Sequence, residues 1–321
     1  MEIVVLIVIL GLLFDYTNGF HDAANVVSTV IATRVLAPVS AIVMAGVLNF
    51  VGATQISGVA QTIATGLVDA QSATQTVVLA ALIGAITWNF FTWYLGIPSS
   101  SSYALIGGLI GSALVHAGAM TVLWSGLIYK VVLPMLFSPL IGFGLSFLFM
   151  KLLKKTTQHR PIFSHLQIGS ACFVALSHGL NDAQKSMGII TLGLFAGGII
   201  TTTHIPLWVI LSCAVIMGLG TASGGMRIIK TMGFGITKID PMQGFAAESS
   251  ASAVILACSF LGMPISSTHM IAGAITGVGS AKSLSAVRWQ TPQKLLYALV
   301  LTLPGAGIVG ALAYLVLKIF V

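Results

Sequence analysis

Apolar residues run along the chain in long blocks separated by short glycine-, proline- or lysine-bearing breaks. A helix needs roughly 20 apolar residues to cross a bilayer. Ten stretches qualify, near residues 3–33, 36–57, 77–97, 98–116, 131–150, 163–200, 206–222, 245–262, 264–280 and 295–317. The blocks lack the period-two alternation of an outer-membrane barrel, so the pattern predicts an all-α polytopic membrane protein. The first and sixth stretches exceed one span and contain polar clusters, and are therefore expected to be broken or bent.

The pattern repeats. Asn18-Gly19-Phe20-His21-Asp22-Ala23 returns as His178-Gly179-Leu180-Asn181-Asp182-Ala183, at an offset of 160 residues. Gly96-Ile97-Pro98 and the run Ser99, Ser100, Ser101, Ser102 return as Gly262-Met263-Pro264-Ile265 followed by Ser266, Ser267, Thr268, at an offset of 166. Gly107 and Gly111 match Gly273 and Gly277 at that same offset. Two motifs recurring in order mark a duplicated unit. Residues 1–150 form the first repeat, 151–161 a basic linker with Lys151, Lys154, Lys155, His159 and Arg160, and 162–321 the second repeat.

Composition sharpens the class. The chain of 321 residues is 57% hydrophobic and 7% charged, against about 25% charged in a soluble domain. This excludes a soluble enzyme, a nucleic-acid binder and a disordered chain, and makes the lipid bilayer the surrounding solvent. The 35 glycines suit close helix packing. Cys172, Cys213 and Cys258 stand singly, with neither metal-ligand spacing nor a disulfide framework. No basic stretch opens the chain, so no cleaved signal peptide is expected.

The net charge of +7 is explained by where the basic residues fall. Arg34 follows the first span, whereas its counterpart near Thr201–His204 has no Lys or Arg. The loop around 58–75 has none, whereas its counterpart carries Arg227, Lys230 and Lys238. The stretch 112–125 also has none, and its counterpart carries Lys282 and Arg288. By the positive-inside rule the two repeats are inserted upside down relative to one another, with both termini outside and the linker in the cytoplasm. Inverted repeats with interrupted helices or helical hairpins meeting near the midplane, in about 10–12 membrane segments, are a secondary-transporter architecture. No nucleotide-binding loop is present.

Among seven acidic residues, Asp15, Asp22, Asp182 and Glu248 fall inside apolar spans. An intramembrane carboxylate is costly unless paired or hydrated and is a functional candidate. Asn18, Asp22, Asn25 and Thr29 lie on one helical face, and His178, Asp182 and Lys185 repeat it. Carboxylate and amide oxygens suit a hard cation or a proton carrier, with Asn181 a further neutral oxygen. Lys185 serves either as an ion-pair partner of Asp182 or as an anion ligand. Each Gly-x-Pro break places its hydroxyls at a helix N-terminus, where free N–H groups and the dipole favour an anion. Two other classes fit single features: an intramembrane serine hydrolase using Ser266 or Ser267 with His269, and an anion channel. A hydrolase does not need the serine run twice, and a channel does not need buried carboxylates.

Asn18–Asn25, Gly96–Ser102, Ser177–Lys185, Arg227–Gly233, Gly244–Glu248 and Gly262–His269 together resemble the inorganic phosphate transporters (the PiT family), nearest to the bacterial low-affinity phosphate permeases. The resemblance implies phosphate import by cation-coupled symport with alternating access, in the inner cell membrane, with no cofactor. It implies Asp22, Asn25, Asn181, Asp182 and Glu248 as cation-coupling residues. Ser99–Ser102, Ser266–Thr268 and Lys185 are the implied phosphate ligands. Sodium or a divalent metal would sit on Asp22, Asn25 and Asp182, while the coupling species stays open between proton, sodium and a metal–phosphate complex. Some relatives carry sulfate, which stays an alternative substrate, and a homodimer is compatible. Tyr103 departs from the His of many members, as do Ala23 and Leu180 from small polar residues.

Overall fold

The computed structural model describes residues 2–156 and 161–320. The described residues form thirteen α-helices, with no β-strand beyond a single bridge between Val68 and Val122. In chain order these are α1 (Glu2–Ala32), α2 (Pro38–Ala53), α3 (Gly58–Thr65), α4 (Gln75–Tyr94), α5 (Ser101–Ala117), α6 (Trp124–Leu127) and α7 (Leu133–Thr156). There follow α8 (Ile162–Ala196), α9 (Leu207–Ser223), α10 (Met226–Gly235), α11 (Pro241–Phe260), α12 (Ser267–Lys282) and α13 (Gln290–Leu317). A π-turn at Ile128–Val132 joins α6 to α7. Lys151, Lys154 and Lys155 of the expected linker sit on the last turns of α7, while His159 and Arg160 lie outside the described residues.

Four helices are long and apolar enough to cross a membrane: α1, α4, α6 with α7, and α13. Two bent pairs raise the number to six. The protein is a multi-pass membrane protein. Of the ten expected stretches, those forming α5, α8, α11 and α12 are helical but too short or too polar to qualify alone.

Two expectations are corrected. The first and sixth stretches are unbroken helices, α1 of 31 residues and α8 of 35. Neither contains proline, and polar side chains such as Asn25 and Asn181 find partners on other helices instead of opening the backbone. The breaks fall one helix later. α2 and α3 meet at a 68° bend, and α9 and α10 at 67°. Gly224, at φ 66°, makes the second of these turns. Arg227 and Lys230, expected in a loop, lie on α10, which is amphipathic: they face outward while Ile228, Ile229 and Met232 are buried.

The Gly-x-Pro breaks are built alike. Gly96 and Gly262 end α4 and α11 with φ of 66° and 65°, a conformation that glycine adopts without steric cost. Ile97 N–H donates to Thr92 O at 2.9 Å, and Met263 N–H to Cys258 O at 2.8 Å, the same closing bond 166 residues apart. Pro98 and Pro264 prevent the helix from resuming at once. Ser100 and Ser266 then cap α5 and α12, accepting the N–H of Tyr103 and His269.

Packing follows an exchange pattern. α5 packs on α13 as α12 packs on α7, α1 on α9 as α8 on α2, α4 on α13 as α11 on α7, and α1 on α10 as α8 on α3. The matched glycines make these seams. A methyl group on Gly107 or Gly111 would strike the carbonyl oxygens of Leu303 or Gly307 on α13. On Gly273 or Gly277 it would strike Pro139 or Phe143 on α7. The helices thus interleave, bringing α1, α8 and the starts of α5 and α12 together at the centre.

Candidate functional site

Four elements meet in a buried polar cluster. α1 brings Asn18, Asp22 and Asn25, spaced at about one turn, and α8 brings His178, Asn181, Asp182 and Lys185. The capped starts of α5 and α12 bring Ser101 and Ser102, and Ser267 and Thr268. None of these side chains is exposed by more than 3%.

The hydrogen bonds tie α1 and α8 to the start of α12 and the break before it. Asn25 Nδ2 donates to Thr268 Oγ1 at 2.9 Å and to Ser267 Oγ at 3.2 Å. Thr268 donates to Asp22 Oδ1 at 3.2 Å, and Ser267 to Asp182 Oδ2 at 3.1 Å. Lys185 Nζ lies 2.7 Å from Asp182 Oδ1 and donates to Ile265 O at 3.1 Å. Ser102 donates to that same carbonyl at 3.0 Å, bringing the start of α5 to the break before α12.

Two histidines complete the cluster, although neither was singled out as a ligand from the sequence. His21 Nδ1 lies 3.0 Å from Asp22 Oδ1. His178 Nε2 lies 3.2 Å from Asp182 Oδ2, and its Nδ1 is 3.2 Å from Asn49 Oδ1. Asn49 in turn donates to Thr221 at 2.8 Å, which fixes its amide with the oxygen toward the imidazole. Asn49 had no sequence signal beyond being a lone amide in an apolar span.

The cluster has an electrostatic deficit. It holds two carboxylates and one lysine, and the lysine is committed to Asp182. Donor atoms of Asp22, His178 and Asp182 lie within 4.8 Å of one another, close enough to share one cation. The amide nitrogens of Asn18, Asn25 and Asn181 all donate, whereas their buried amide oxygens have no partner. Unpartnered amide oxygens near carboxylates are the donor set of a hard cation, so these residues fit sodium or a divalent metal.

Of the remaining expected residues, Ser99, Glu248 and Ser266 make contacts of their own, while Ser101 brings an unpaired hydroxyl to the cluster. Ser99 pairs with Thr92 of α4 at 2.9 Å. Ser101 is buried with a hydroxyl that has no partner. Glu248 forms a separate polar group with Gln167, at 3.0 Å, and Ser170. It meets α1 beside Thr29, beyond Asn25. Ser266 and His269 form a hydrogen bond of 2.7 Å, but it is a capping arrangement: His269 Nε2 meets Leu295 O rather than a carboxylate.

The phosphate transporter family model matches residues 18–162 and 154–310 of the chain. A probable low-affinity inorganic phosphate transporter of Mycobacterium bovis is 45% identical over 97% of this chain and 77% of its own. One of Bacillus subtilis is 42% identical over 98% of this chain and 97% of its own. The chain belongs to the phosphate transporter family. Among solved structures, a sodium-dependent phosphate transporter superposes over the whole of both chains, with a TM-score of 0.91 at 26% identity. The transporter is not an enzyme, and the Ser266–His269 pair makes the capping contact at the start of α12.

Proposed function

We propose that the protein imports inorganic phosphate by cation-coupled symport, with the central cluster as the transport site. The single observation that carries this reading is the pair Asp22 and Asp182, bridged through Ser267, Thr268 and Asn25 to the helix starts expected to hold the anion. Carboxylates within hydrogen-bonding reach of an anion site repel the anion unless a cation neutralises them. Binding of the one therefore favours the other.

In this reading Asp22, Asn25, Asn181 and Asp182 hold the coupling cation. Ser100–Ser102, Ser266–Thr268 and, on exchange of its ion pair, Lys185 receive phosphate. Ser99 and Glu248 act from beside the site. The duplicated units are inverted in the cell membrane, with both termini outside, and rocking of one against the other alternates access. The energetics require coupling. Moving one charge through 100 mV is worth about 2.3 kcal/mol, so a divalent anion entering a negative interior faces roughly 4.6 kcal/mol. Sodium is the first cation to test, since the superposed transporter is sodium-dependent.

The test is radiolabelled phosphate uptake into proteoliposomes under imposed sodium, proton or divalent-metal gradients, with sulfate as competitor. The wild type concentrates phosphate with one of these gradients, whereas Asp22→Asn and Asp182→Asn do not. Uptake that equilibrates phosphate without responding to any gradient would overturn the symport reading.

A further inference from the structure

Three basic residues from three separate connections converge on one cavity away from the central cluster. Arg34 comes from the α1–α2 turn, Lys238 from the α10–α11 connection and Arg288 from the segment before α13. They line a cavity of about 390 Å³ together with Phe234 and Thr237, and no acidic residue among those described lines it. The nearest carboxylate in sequence, Asp240, is occupied in capping α11, accepting the Gln243 N–H at 2.9 Å.

Arg34 stands where glycine is expected. The α1 and α8 helices end in the same turn. Arg34 N–H donates to Ile31 O at 3.1 Å and Val35 N–H to Val30 O at 3.1 Å. Gly198 N–H donates to Phe195 O, and Ile199 N–H to Leu194 O, both at 3.0 Å. The turn needs a left-handed residue, at φ 60° for Arg34 and 67° for Gly198. Arg34 is the sole described residue other than glycine with positive φ. An L side chain there carries a steric cost that glycine avoids. Positive-inside topology calls for basic residues on this face, but neither for an arginine in this conformation nor for convergence of three on one cavity.

The donors point to the ligand chemistry. Arg288 is held by one bond, from Nη1 to Phe234 O at 3.1 Å, which leaves the rest of its fork free. Arg34 and Lys238 have no side-chain partner among the described residues. Two guanidinium forks and an ammonium around a polar-rimmed cavity match the oxygens of a phosphoryl group.

We infer that Arg34, Lys238 and Arg288 form a second site, for a phosphoryl anion. Two sources carry that chemistry, free inorganic phosphate and the headgroup of an anionic lipid. The inference does not rest on the symport reading, because it concerns binding without any gradient and uses none of the central residues.

The experiment compares the wild type with Arg34→Gly/Lys238→Gln, both full length and purified into phosphatidylcholine nanodiscs. One arm measures equilibrium binding of radiolabelled inorganic phosphate at low and high salt. The other counts phosphatidic acid retained by each protein in native mass spectrometry. The wild type is expected to show a salt-sensitive component in at least one arm, which the double variant weakens by about tenfold or more. Loss in the phosphate arm assigns the site to free phosphate, and loss in the lipid arm to a headgroup. Arg34→Gly is expected to fold, since Gly198 makes the same turn. Should the pair not fold, Lys238→Gln alone must weaken binding in the same direction. A folded variant with both arms unchanged overturns the inference.

Discussion

Lys185 Nζ lies 2.7 Å from Asp182 Oδ1, one turn away on the same helix and with both side chains fully buried. The pair accounts for the one fixed positive charge in the cluster and leaves Asp22, which meets His21 and Thr268, without a lysine or arginine partner among the described residues. Breaking a buried pair by removing one partner costs about 3–5 kcal/mol, whereas removing both is far milder. Lys185→Met is therefore expected to lower the thermal melting point in detergent markedly. Lys185→Met/Asp182→Asn should recover most of that loss. A double variant as unstable as the single would show that the pair is not what stabilises this stretch of α8.

Ser101 and Ser267 occupy matched positions but different circumstances, and their alanine variants should separate stability from affinity. Ser267 donates to Asp182 and accepts from Asn25, so Ser267→Ala is expected to cost about 1 kcal/mol or more in stability. The Ser101 hydroxyl is buried without a partner. Ser101→Ala should leave stability unchanged or slightly raised, since it removes an unsatisfied group. Both should weaken phosphate binding in equilibrium dialysis. Unaltered affinity in Ser101→Ala would remove the start of α5 from the site.

The glycine seams make a control remote from the site. Gly111→Ala pushes a methyl group into the backbone oxygen of Gly307, which cannot yield without separating α5 from α13. It is expected to destabilise by about 1–3 kcal/mol. Gly144, on α7, has nothing within 4 Å of an added methyl group. Gly144→Ala should be neutral or stabilising by up to about 1 kcal/mol, from helix propensity alone. Thermal unfolding of the two variants checks the contrast.

The parts of this molecule legible in its sequence are those written locally. Gly96 and Gly262, with the prolines two residues on, announce a stop and a restart. Ser100 and Ser266 then cap helices as their residue types predict. Asp22 and Asp182 stood out because a carboxylate is conspicuous in an apolar span. What escaped was set by tertiary partners. The polar stretches of α1 and α8 resemble breaks until Asn25 is seen bonding to α12 and Gly19 packing against the Met217 backbone. The bend between α2 and α3 contains no proline to mark it, and α3 falls within the stretch 58–75 that reads as a loop. Glu248 reads as a third central carboxylate, but Gln167 and Ser170 hold it in its own group.

Orientation can be read from outside the protein. In a variant lacking Cys172, Cys213 and Cys258, single cysteines at the exposed positions Gln71 and Lys238 test the two matched connections. Inverted repeats require Gln71→Cys to react with an impermeant maleimide in intact cells, and Lys238→Cys only after permeabilisation. Reaction of both from the same side would mean that the repeats are parallel.

The last expectation concerns the order of charge neutralisation. One lysine cannot balance Asp22 and Asp182 together, and three amide oxygens beside them lack donors. A cation entering between the carboxylates satisfies both deficits. It also lifts the repulsion that Ser267 and Thr268, each bonded to a carboxylate, would otherwise pass on to a bound anion. The coupling cation should then raise phosphate affinity, and phosphate should raise cation affinity by the same factor. Allosteric couplings of this kind run to roughly 5–150-fold. Calorimetric titration of phosphate at several sodium concentrations, and of sodium at several phosphate concentrations, measures both sides of the cycle. Asp22→Asn removes one negative charge while keeping an oxygen, so phosphate should bind it with little dependence on the cation, at an affinity near that of the cation-loaded wild type. If phosphate binding to Asp22→Asn keeps the full cation dependence of the wild type, Asp22 is not a coupling residue.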